Sequence, residues 1–309
     1  MAGPPHRRSD AHSTAARPRK AFVLVNPKAR GGEEPLADAL VVFDAAGIGV
    51  ETAPLDEIAS PSDMRARSAD ADLIVVCGGD GTLSAAAAGV IAADRPLGIL
   101  PIGTANDLAR TLAIPADPAA AARVIVAGHT RRIDVGEVNG RYFFNVASIG
   151  MSVEIARRLT PEIKRLWGRL GYAIATVRAL VAVRPFHATV VGPDGEVRVR
   201  TLQVAVGSGR FYGGGSVVAE DAAVDDGRLD LYSLEVESVW KLMLMMRDLR
   251  RGTQGTWREV RTTDGAGFEV RTRRPRQVNA DGDLVTTTPA RFSIHRGAVS
   301  VFAPPRPCG

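Results

Sequence analysis

Residues 72–88 read DLIVVCGGDGTLSAAAA. The branched apolar run Leu73 to Cys77 has the length and composition of a strand buried on both faces. It stops at Gly78-Gly79-Asp80-Gly81-Thr82, and the small-residue run from Leu83 to Ala93 predicts a helix straight after. In an open parallel sheet the carboxyl ends of the strands face the ligand crevice. Glycines there let main-chain N–H groups approach a ligand with no Cβ in the way. A helix that starts next turns its unpaired N–H groups toward an anion. GGDGT therefore suits a phosphate, with Thr82 as a hydroxyl donor. Asp80 is the odd member, because a carboxylate beside phosphates is repelled unless a cation lies between them; it predicts Mg²⁺ or a lysine partner. A plain strand-to-helix turn draws on the same residue types.

The alternation of strand and helix continues on both sides. Ala21–Asn26, Ile48–Ala53 and Leu97–Pro101 are predicted strands; residues 35–46, 61–68, 107–112 and 118–127 are predicted helices. Such alternation implies crossover connections and a mostly parallel α/β sheet covered on both faces. Two further strand ends resemble the first: NPKARGG at 26–32 and PIGTAND at 101–107, each with glycine, a small polar donor and a helix start. Three such loops at the carboxyl ends of one sheet would converge on one crevice, which three unrelated turns explain poorly.

From about Arg132 the pattern changes. Asn139-Gly140 within VGEVNGRYFFNVA, the turn around Pro193-Asp194-Gly195, and EVRTTDGAGFEVRT at 259–272 are hairpin signals between apolar segments. They predict an antiparallel, β-rich sandwich, interrupted by helices over roughly 153–183 and 238–251. The closing RGAVSVFAP is a predicted strand that returns to one of the domains. The expected organisation is a disordered basic tail at 1–19, a nucleotide-binding α/β domain at 20–131, a β-sandwich substrate domain at 132–296, and a C-terminal segment at 297–309 returning to the first domain.

The 309 residues are 45% hydrophobic with a formal net charge of +5, which suits approach to phosphates or an anionic surface but identifies no partner. No apolar run reaches the roughly eighteen residues of a spanning helix. The N-terminal MAGPPHRRSDAHSTAARPRK has basic residues without the apolar segment of a secretory signal. Of the two cysteines, Cys77 sits in the apolar strand and Cys308 beside the C-terminus, which argues against a disulfide framework and fits a reducing cytosol. RTRRPR at 271–276 and RRLTPEIKRLWGRLGY at 157–172 are basic; a solvated charged face is the default for each. Lys164–Tyr172 also mixes cations and aromatics as interfacial helices do. The stripe within 239–249 (Val239, Leu242, Met243, Met246, Leu249) falls at core-facing helical spacing.

NPKARGG, GGDGT and PIGTAND, in this order and spacing, resemble the diacylglycerol kinase catalytic-domain family: bacterial diacylglycerol and lipid kinases related to sphingosine and ceramide kinases. The likeness continues through FNVASIGM at 144–151, AEDAAVDDGRLDLY at 219–232 and NADGDL at 279–284. NAD kinases share GGDGT but generally lack the P-x-G-T-x-N-D element. The resemblance implies a NAD kinase/diacylglycerol kinase-like nucleotide domain, a β-sandwich domain, and an ATP- and Mg²⁺-dependent lipid kinase. By that likeness Asn26, Pro27, Lys28, Ala29 and Arg30 line the nucleotide pocket, Thr52 matches a further ATP-contacting position, Gly78, Gly79, Asp80, Gly81, Thr82, Leu83 and Ser84 hold phosphates, and Thr104 contacts the nucleotide. Asn106 and Asp107 tie the third loop to its helix, with Asp107 also readable as a helix cap.

The same likeness assigns a structural Mg²⁺ to the Asp226 carboxylate and the carbonyls of Ala223 and Arg228, a donor set suited to a hard cation; an Asp-Asp-Gly turn reads equally from the residues alone. It makes Asp283 the base that receives the proton of the attacking hydroxyl, with Asp281 positioning metal or hydroxyl. The family usually has Asp-Gly-Glu here, so Asp283 is one methylene shorter, and Ser84-Ala85 stands where relatives often have Asn-Glu. The implied partner is a lipid at the inner face of a membrane, met peripherally by a cytoplasmic protein. No nucleic acid is implied, a homodimer stays open, and no local motif names the acceptor. The alternatives are a NAD kinase-like enzyme for a soluble alcohol and a weakly catalytic nucleotide- or lipid-binding protein.

Overall fold

The computed structural model describes residues 13–14, 18–26, 34–158, 183–208, 211–212, 216–217, 223–236 and 260–305. The chain divides into two units: Met1–Val135 with Ala223–Gly227 and His295–Gly309, and Gly136–Ala222 with Arg228–Ile294.

The first unit runs β1 (Ser13–Thr14), β2 (Lys20–Val25), α1 (Glu34–Ala45), β3 (Gly49–Pro54), α2 (Pro61–Arg67), β4 (Leu73–Gly78), α3 (Asp80–Ala93), β5 (Leu97–Pro101), α4 (Asp107–Thr111) and α5 (Pro118–Val126), and β6 (His129–Val138) leads out of it. Helical crossovers make the sheet parallel, in the order β5-β4-β2-β3: Val23 faces Thr52 on one side and Val75 on the other, and Val75 faces Gly98. The central strands are apolar throughout because both of their faces are covered. All six residues of β4 are buried, as are Phe22, Val23 and Leu24 of β2. Two helices start as their sequences direct. Ser60 accepts from the Asp63 N–H and Asp117 from the Ala120 N–H, and each is followed by a proline in the first turn.

Two features of the first unit differ from the sequence expectation. Helix α3 begins three residues before Leu83, so Asp80–Thr82 form its first turn and Gly79 its N-cap. Ser13 and Thr14, within the stretch read as a disordered tail, pair antiparallel with Thr130 and His129 of β6.

The second unit continues with β7 (Arg141–Phe143), β8 (Val146–Gly150), α6 (Met151–Arg158), β9 (Phe186–Gly192), β10 (Gly195–Thr201), β11 (Gln203–Gly207), β12 (Phe211–Tyr212), β13 (Ser216–Val217), β14 (Leu229–Leu234), β15 (Val260–Gly265), β16 (Gly267–Thr272), β17 (Gln277–Ala280), β18 (Asp283–Thr287) and β19 (Ala290–Phe302). β19 ends in the first unit, where Val301 pairs in parallel with Leu97. The antiparallel order β10-β9-β16-β19 forms one layer and β15-β14-β11-β8-β17-β18 the other. Their inner faces share a core that includes Ile149, Val190, Val206, Leu231, Val270 and Phe292. Strand β10 has the one-face-buried pattern of such a sandwich: Val199 and Thr201 point in, while Arg198 and Arg200 are exposed.

EVRTTDGAGFEVRT is not a hairpin. β15 pairs with β14, whereas β16 pairs with β9 and β19 in the other layer. Ala266 alone separates the two strands, too short a link for the two-residue loop a hairpin needs, so the chain turns the corner between layers. The Asn139-Gly140 turn does join paired strands, with Val138 opposite Arg141 and positive φ at both turn residues. Its carboxamide donates to Thr286 Oγ1 (3.2 Å), Thr287 O (3.3 Å) and Pro289 O (3.0 Å) and accepts from the Arg291 N–H (2.9 Å), holding the end of β18. α6 is the start of the predicted 153–183 helix; its continuation and the 238–251 helix lie outside the described residues. Among the described residues, no helix is long and apolar enough to cross a membrane.

The entry to β2 rests on Asp72. Its Oδ2 accepts the N–H of Arg19 (2.7 Å) and of Lys20 (3.0 Å), and these bonds hold its carboxyl below the ordinary value of 3.8. A depressed carboxylate contributes stability above its unfolded pKa and loses it as pH falls through the folded one. Asp72→Asn should therefore lower stability by up to about 1 kcal/mol at neutral pH, given the exposed site. In urea titrations from neutral pH to below 3.8 the gap between the two proteins should close in acid; a gap independent of pH would refute the assignment.

Candidate active site

The three loops of the first unit meet. Asn26, at the end of β2, donates from Nδ2 to the Thr82 hydroxyl (3.0 Å), tying the first loop to the second. The second and third loops touch backbone to backbone: a Cβ on Gly103 would lie 2.5 Å from the Gly79 Cα, and a Cβ on Gly78 2.4 Å from the Thr82 side chain. These glycines make room for the protein's own neighbouring loop and helix, a use the sequence does not separate from making room for a ligand. Asn106 closes the third loop on itself, donating to Pro101 O (3.2 Å) and Gly103 O (3.0 Å) from a left-handed backbone conformation.

Asp80 supplies the strongest tie. Its two oxygens accept the N–H of Asp107 (3.0 Å) and of Leu108 (3.1 Å), the first two amides of α4. Helix α4 has no cap from its own N-cap residue, because the Asn106 side chain is turned to the loop carbonyls. Asp80 is the cap, supplied from twenty-seven positions earlier in the chain. The sequence predicted Mg²⁺ or a lysine beside this carboxylate; each of its oxygens accepts a backbone N–H, and Lys28 lies outside the described residues. Asp107 is the first residue of α4, and Asn106 is its N-cap. Asp107 is 3% exposed, and its Oδ1 accepts from Arg110 Nη1 at 3.2 Å.

The N-terminus of α3 is different. Its N-cap is a glycine, so no N-cap side chain receives the first-turn N–H groups. With Asp80 turned to α4, that end of the helix fits a phosphate group. Around it Gly79, Gly81 and Ser84 are part-buried and Thr104 is exposed, while Leu83 is a core residue at 2% exposure. Thr52 is exposed on β3. Pro27, Lys28, Ala29 and Arg30 lie outside the described residues, as do Lys164–Tyr172 and the 239–249 stripe. Cys77 is fully buried behind the loop, and burial pushes its thiol up to about 11.

In the second unit Asp281-Gly282 is the turn of the β17–β18 hairpin, with positive φ at both residues. The Asp281 carboxylate accepts three backbone N–H groups: Phe144 (2.7 Å) at one oxygen, Asn145 and Val146 (3.0 Å each) at the other. The Asp281 N–H donates back to Val146 O (3.0 Å), and Asn279 Oδ1 accepts from the Gly282 N–H (3.1 Å). The sequence assigned Asp281 to metal or hydroxyl; here its carboxylate clamps the hairpin to the start of β8. Asp283, the first residue of β18, is exposed.

Sequence reasoning passed over Asp134. This carboxylate, 5% exposed within β6, accepts the N–H of Gly227 and of Gly297, each at 2.6 Å, and its own N–H donates to Val224 O (2.7 Å). With the Arg131–Asp225 ion pair (3.1 Å) it fixes the 223–227 segment that holds Ala223 and the exposed Asp226; Arg228 follows. An aspartate between the apolar Ile133 and Val135 was the only signal. Among the described residues no cluster of three or more His, Cys, Asp or Glu side chains could hold a metal. One carboxylate with two carbonyls, the set implied by the resemblance, is a different donor set.

Comparison with known proteins accords with this division. Residues 20–138 match the diacylglycerol kinase catalytic domain, and residues 145–303 match the YegS C-terminal NAD kinase beta sandwich-like domain. The diacylglycerol kinase of Staphylococcus epidermidis is 28% identical over 296 residues, covering 93% of this chain and 92% of its own. That of Staphylococcus saprophyticus is 27% identical over 296 residues, covering 93% and 96%. The crystal structure of a diacylglycerol kinase from Bacillus anthracis superposes with a TM-score of 0.75 at 24% identity, over 94% of this chain and 99% of that one; the likeness is one of fold.

A methyl group at Gly103 would have to displace the Gly79 backbone. Gly103→Ala should lower the melting temperature and weaken binding of a non-hydrolysable ATP analogue by about tenfold or more. Full affinity in a calorimetric titration would mean that loop contact does not shape the site.

Proposed function

Since the chain belongs to the diacylglycerol kinase catalytic-domain family, we propose that it is an ATP- and Mg²⁺-dependent lipid kinase, transferring the γ-phosphoryl group to a hydroxyl of diacylglycerol or a similar lipid. The observation that carries this reading is the match of both domains, in order, to nearly the whole chain. The tied loops of the first unit support it, because the start of α3, whose N-cap is a glycine, turns N–H donors toward phosphate oxygens.

ATP supplies the phosphoryl group, and Mg²⁺ neutralises charge that develops on it. The chain's own residues have separable tasks. Asp80 keeps the second and third loops aligned and, because it is bonded to α4, turns its charge away from the α3 terminus. Lys28 and Arg30 would neutralise phosphate charge from the first loop. Asp283 takes the proton of the acceptor hydroxyl as that oxygen attacks. Asp281 holds the hairpin that presents Asp283, so it positions the base instead of acting on the substrate. Asp226, with the carbonyls of Ala223 and Arg228, would hold a structural Mg²⁺, and Asp134 fixes that segment from the first unit's β6. The protein would work peripherally on the cytoplasmic face of a membrane.

The test is transfer of labelled γ-phosphate to a panel of lipids in non-ionic detergent micelles, with NAD and a no-acceptor control. Label in one lipid supports the reading and names the acceptor; label in NAD favours a soluble-alcohol kinase. ATP binding with no label anywhere favours a binding protein, consistent with the Asp283 and Ser84-Ala85 departures. In the active protein, Asp283→Asn should lower kcat by about 10²-fold or more while leaving ATP affinity unchanged. An unchanged kcat would remove Asp283 from the mechanism.

A further inference from the structure

Asp283 begins β18, and β18 ends its sheet: among the described strands it pairs with β17 alone. The four residues of β17 face the five of β18. Ala280 is opposite Asp283 and Asn279 opposite Leu284; then the register shifts, and Val278 is opposite Thr286. Val285 is therefore the extra residue of a β-bulge, two positions from Asp283. The tight Asp281-Gly282 turn by itself favours a regular ladder, in which Val285 would face Val278 and Thr286 would face Gln277. The far end of β18 is held one residue out of that register.

One short stretch of chain, residues 139–146, grips the strand on both sides of the bulge. At its end, the N–H groups of Phe144, Asn145 and Val146 hold Asp281 and so fix where β18 starts. At its start, Asn139 Nδ2 donates toward Thr286 Oγ1 (3.2 Å), Thr287 O (3.3 Å) and Pro289 O (3.0 Å), while Oδ1 accepts the Arg291 N–H (2.9 Å). Thr288 is tied to Arg276 just beyond, through Thr288 Oγ1 (2.9 Å) and the Thr288 N–H (2.8 Å). The slack between the two grips is Val285, whose side chain packs toward the sandwich core, while Leu284 is exposed. A bulge bends its strand and adds local twist. The Asp283 carboxylate stands one methylene from a backbone with a ladder on one side only, so its direction follows that bend.

We propose that Asn139 is a positioning residue for the proton acceptor: its carboxamide keeps β18 in the bulged register, and the bulge aims Asp283. The proposal rests on the reading of Asp283 as the base. It goes beyond that reading by assigning the aim of the base to a side chain on another hairpin.

Asn139→Gly removes the carboxamide and keeps a residue suited to the positive φ of this turn. Asn139→Asp keeps an acceptor for the Arg291 N–H but sets a carboxylate against three oxygens. Deletion of Val285 removes the extra residue with Asn139 intact. In the full-length protein each change should lower kcat for phosphate transfer to lipid in non-ionic micelles by about tenfold or more. Affinity for a non-hydrolysable ATP analogue should not change. Cross-strand NOE contacts should place Val278 beside Thr286 in the parent and beside Val285 in Asn139→Gly. On an Asp283→Asn background, Asn139→Gly should cost nothing further, because it acts through that carboxylate. Asp72→Asn, which destabilises the first unit, should leave kcat unchanged while the protein is folded. A parent kcat in Asn139→Gly or in the deletion would overturn the proposal. So would an equal loss with and without the Asp283 carboxylate, which a merely structural role gives. Failure of the base reading is seen separately, as a parent kcat in Asp283→Asn alone, and the NOE contacts still decide whether Asn139 holds the bulge.

Discussion

The Asp80 carboxylate, bonded to the amides of Asp107 and Leu108, is the constraint on which the first unit's site depends. It lets a short helix start where its own N-cap residue is occupied elsewhere, and it joins two loops that glycines bring into backbone contact. Hydrogen bonds of this charge-assisted kind contribute about 1.5–3 kcal/mol each when well formed. They also settle where the negative charge points. A carboxylate in the first turn of α3 would otherwise compete with any phosphate for the same N–H groups. By serving the neighbouring helix, Asp80 leaves that terminus to an anion.

The same device recurs through the chain. Asp281 gathers the N–H groups of Phe144, Asn145 and Val146; Asp134 gathers those of Gly227 and Gly297; Asp72 gathers those of Arg19 and Lys20. In each case a short acidic side chain satisfies main-chain donors of a segment distant in sequence, donors that regular structure leaves open. Phosphotransfer needs loops fixed to within a fraction of an ångström. A loop held by carboxylate-to-amide bonds meets that need before any nucleotide arrives.

Much of this was legible. The apolar run at Leu73–Cys77 and its companions around Val23 and Ile99 specify a parallel sheet, because only strands covered on both faces are apolar throughout. Glycine and a small donor at three strand ends pointed to one convergent site, and the Asn26–Thr82 bond and the Asp80 carboxylate do link those loops. What could not be read was the partner of each aspartate. A carboxylate has the same letter whether it binds a metal, a lysine or an amide, and the amides it finds are set by tertiary approach. So Asp80 suggested Mg²⁺ or a lysine, the family likeness gave Asp281 a part in positioning metal or hydroxyl, and Asp134 suggested nothing. EVRTTDGAGFEVRT misled for a related reason: its alternation fits any half-buried strand pair, and the single-residue link that sends β15 and β16 to different layers is a matter of geometry.

Amide hydrogen exchange at Asp107 and Leu108, in protein free of nucleotide and divalent cation, tests the central claim most directly. If Asp80 builds the site unaided, both amides exchange slowly in the parent and become fast in Asp80→Ala, with the parallel strands still protected. Fast exchange at both positions in the parent, or equal rates in the two proteins, would contradict the account and return Asp80 to the role of a carboxylate awaiting a cation.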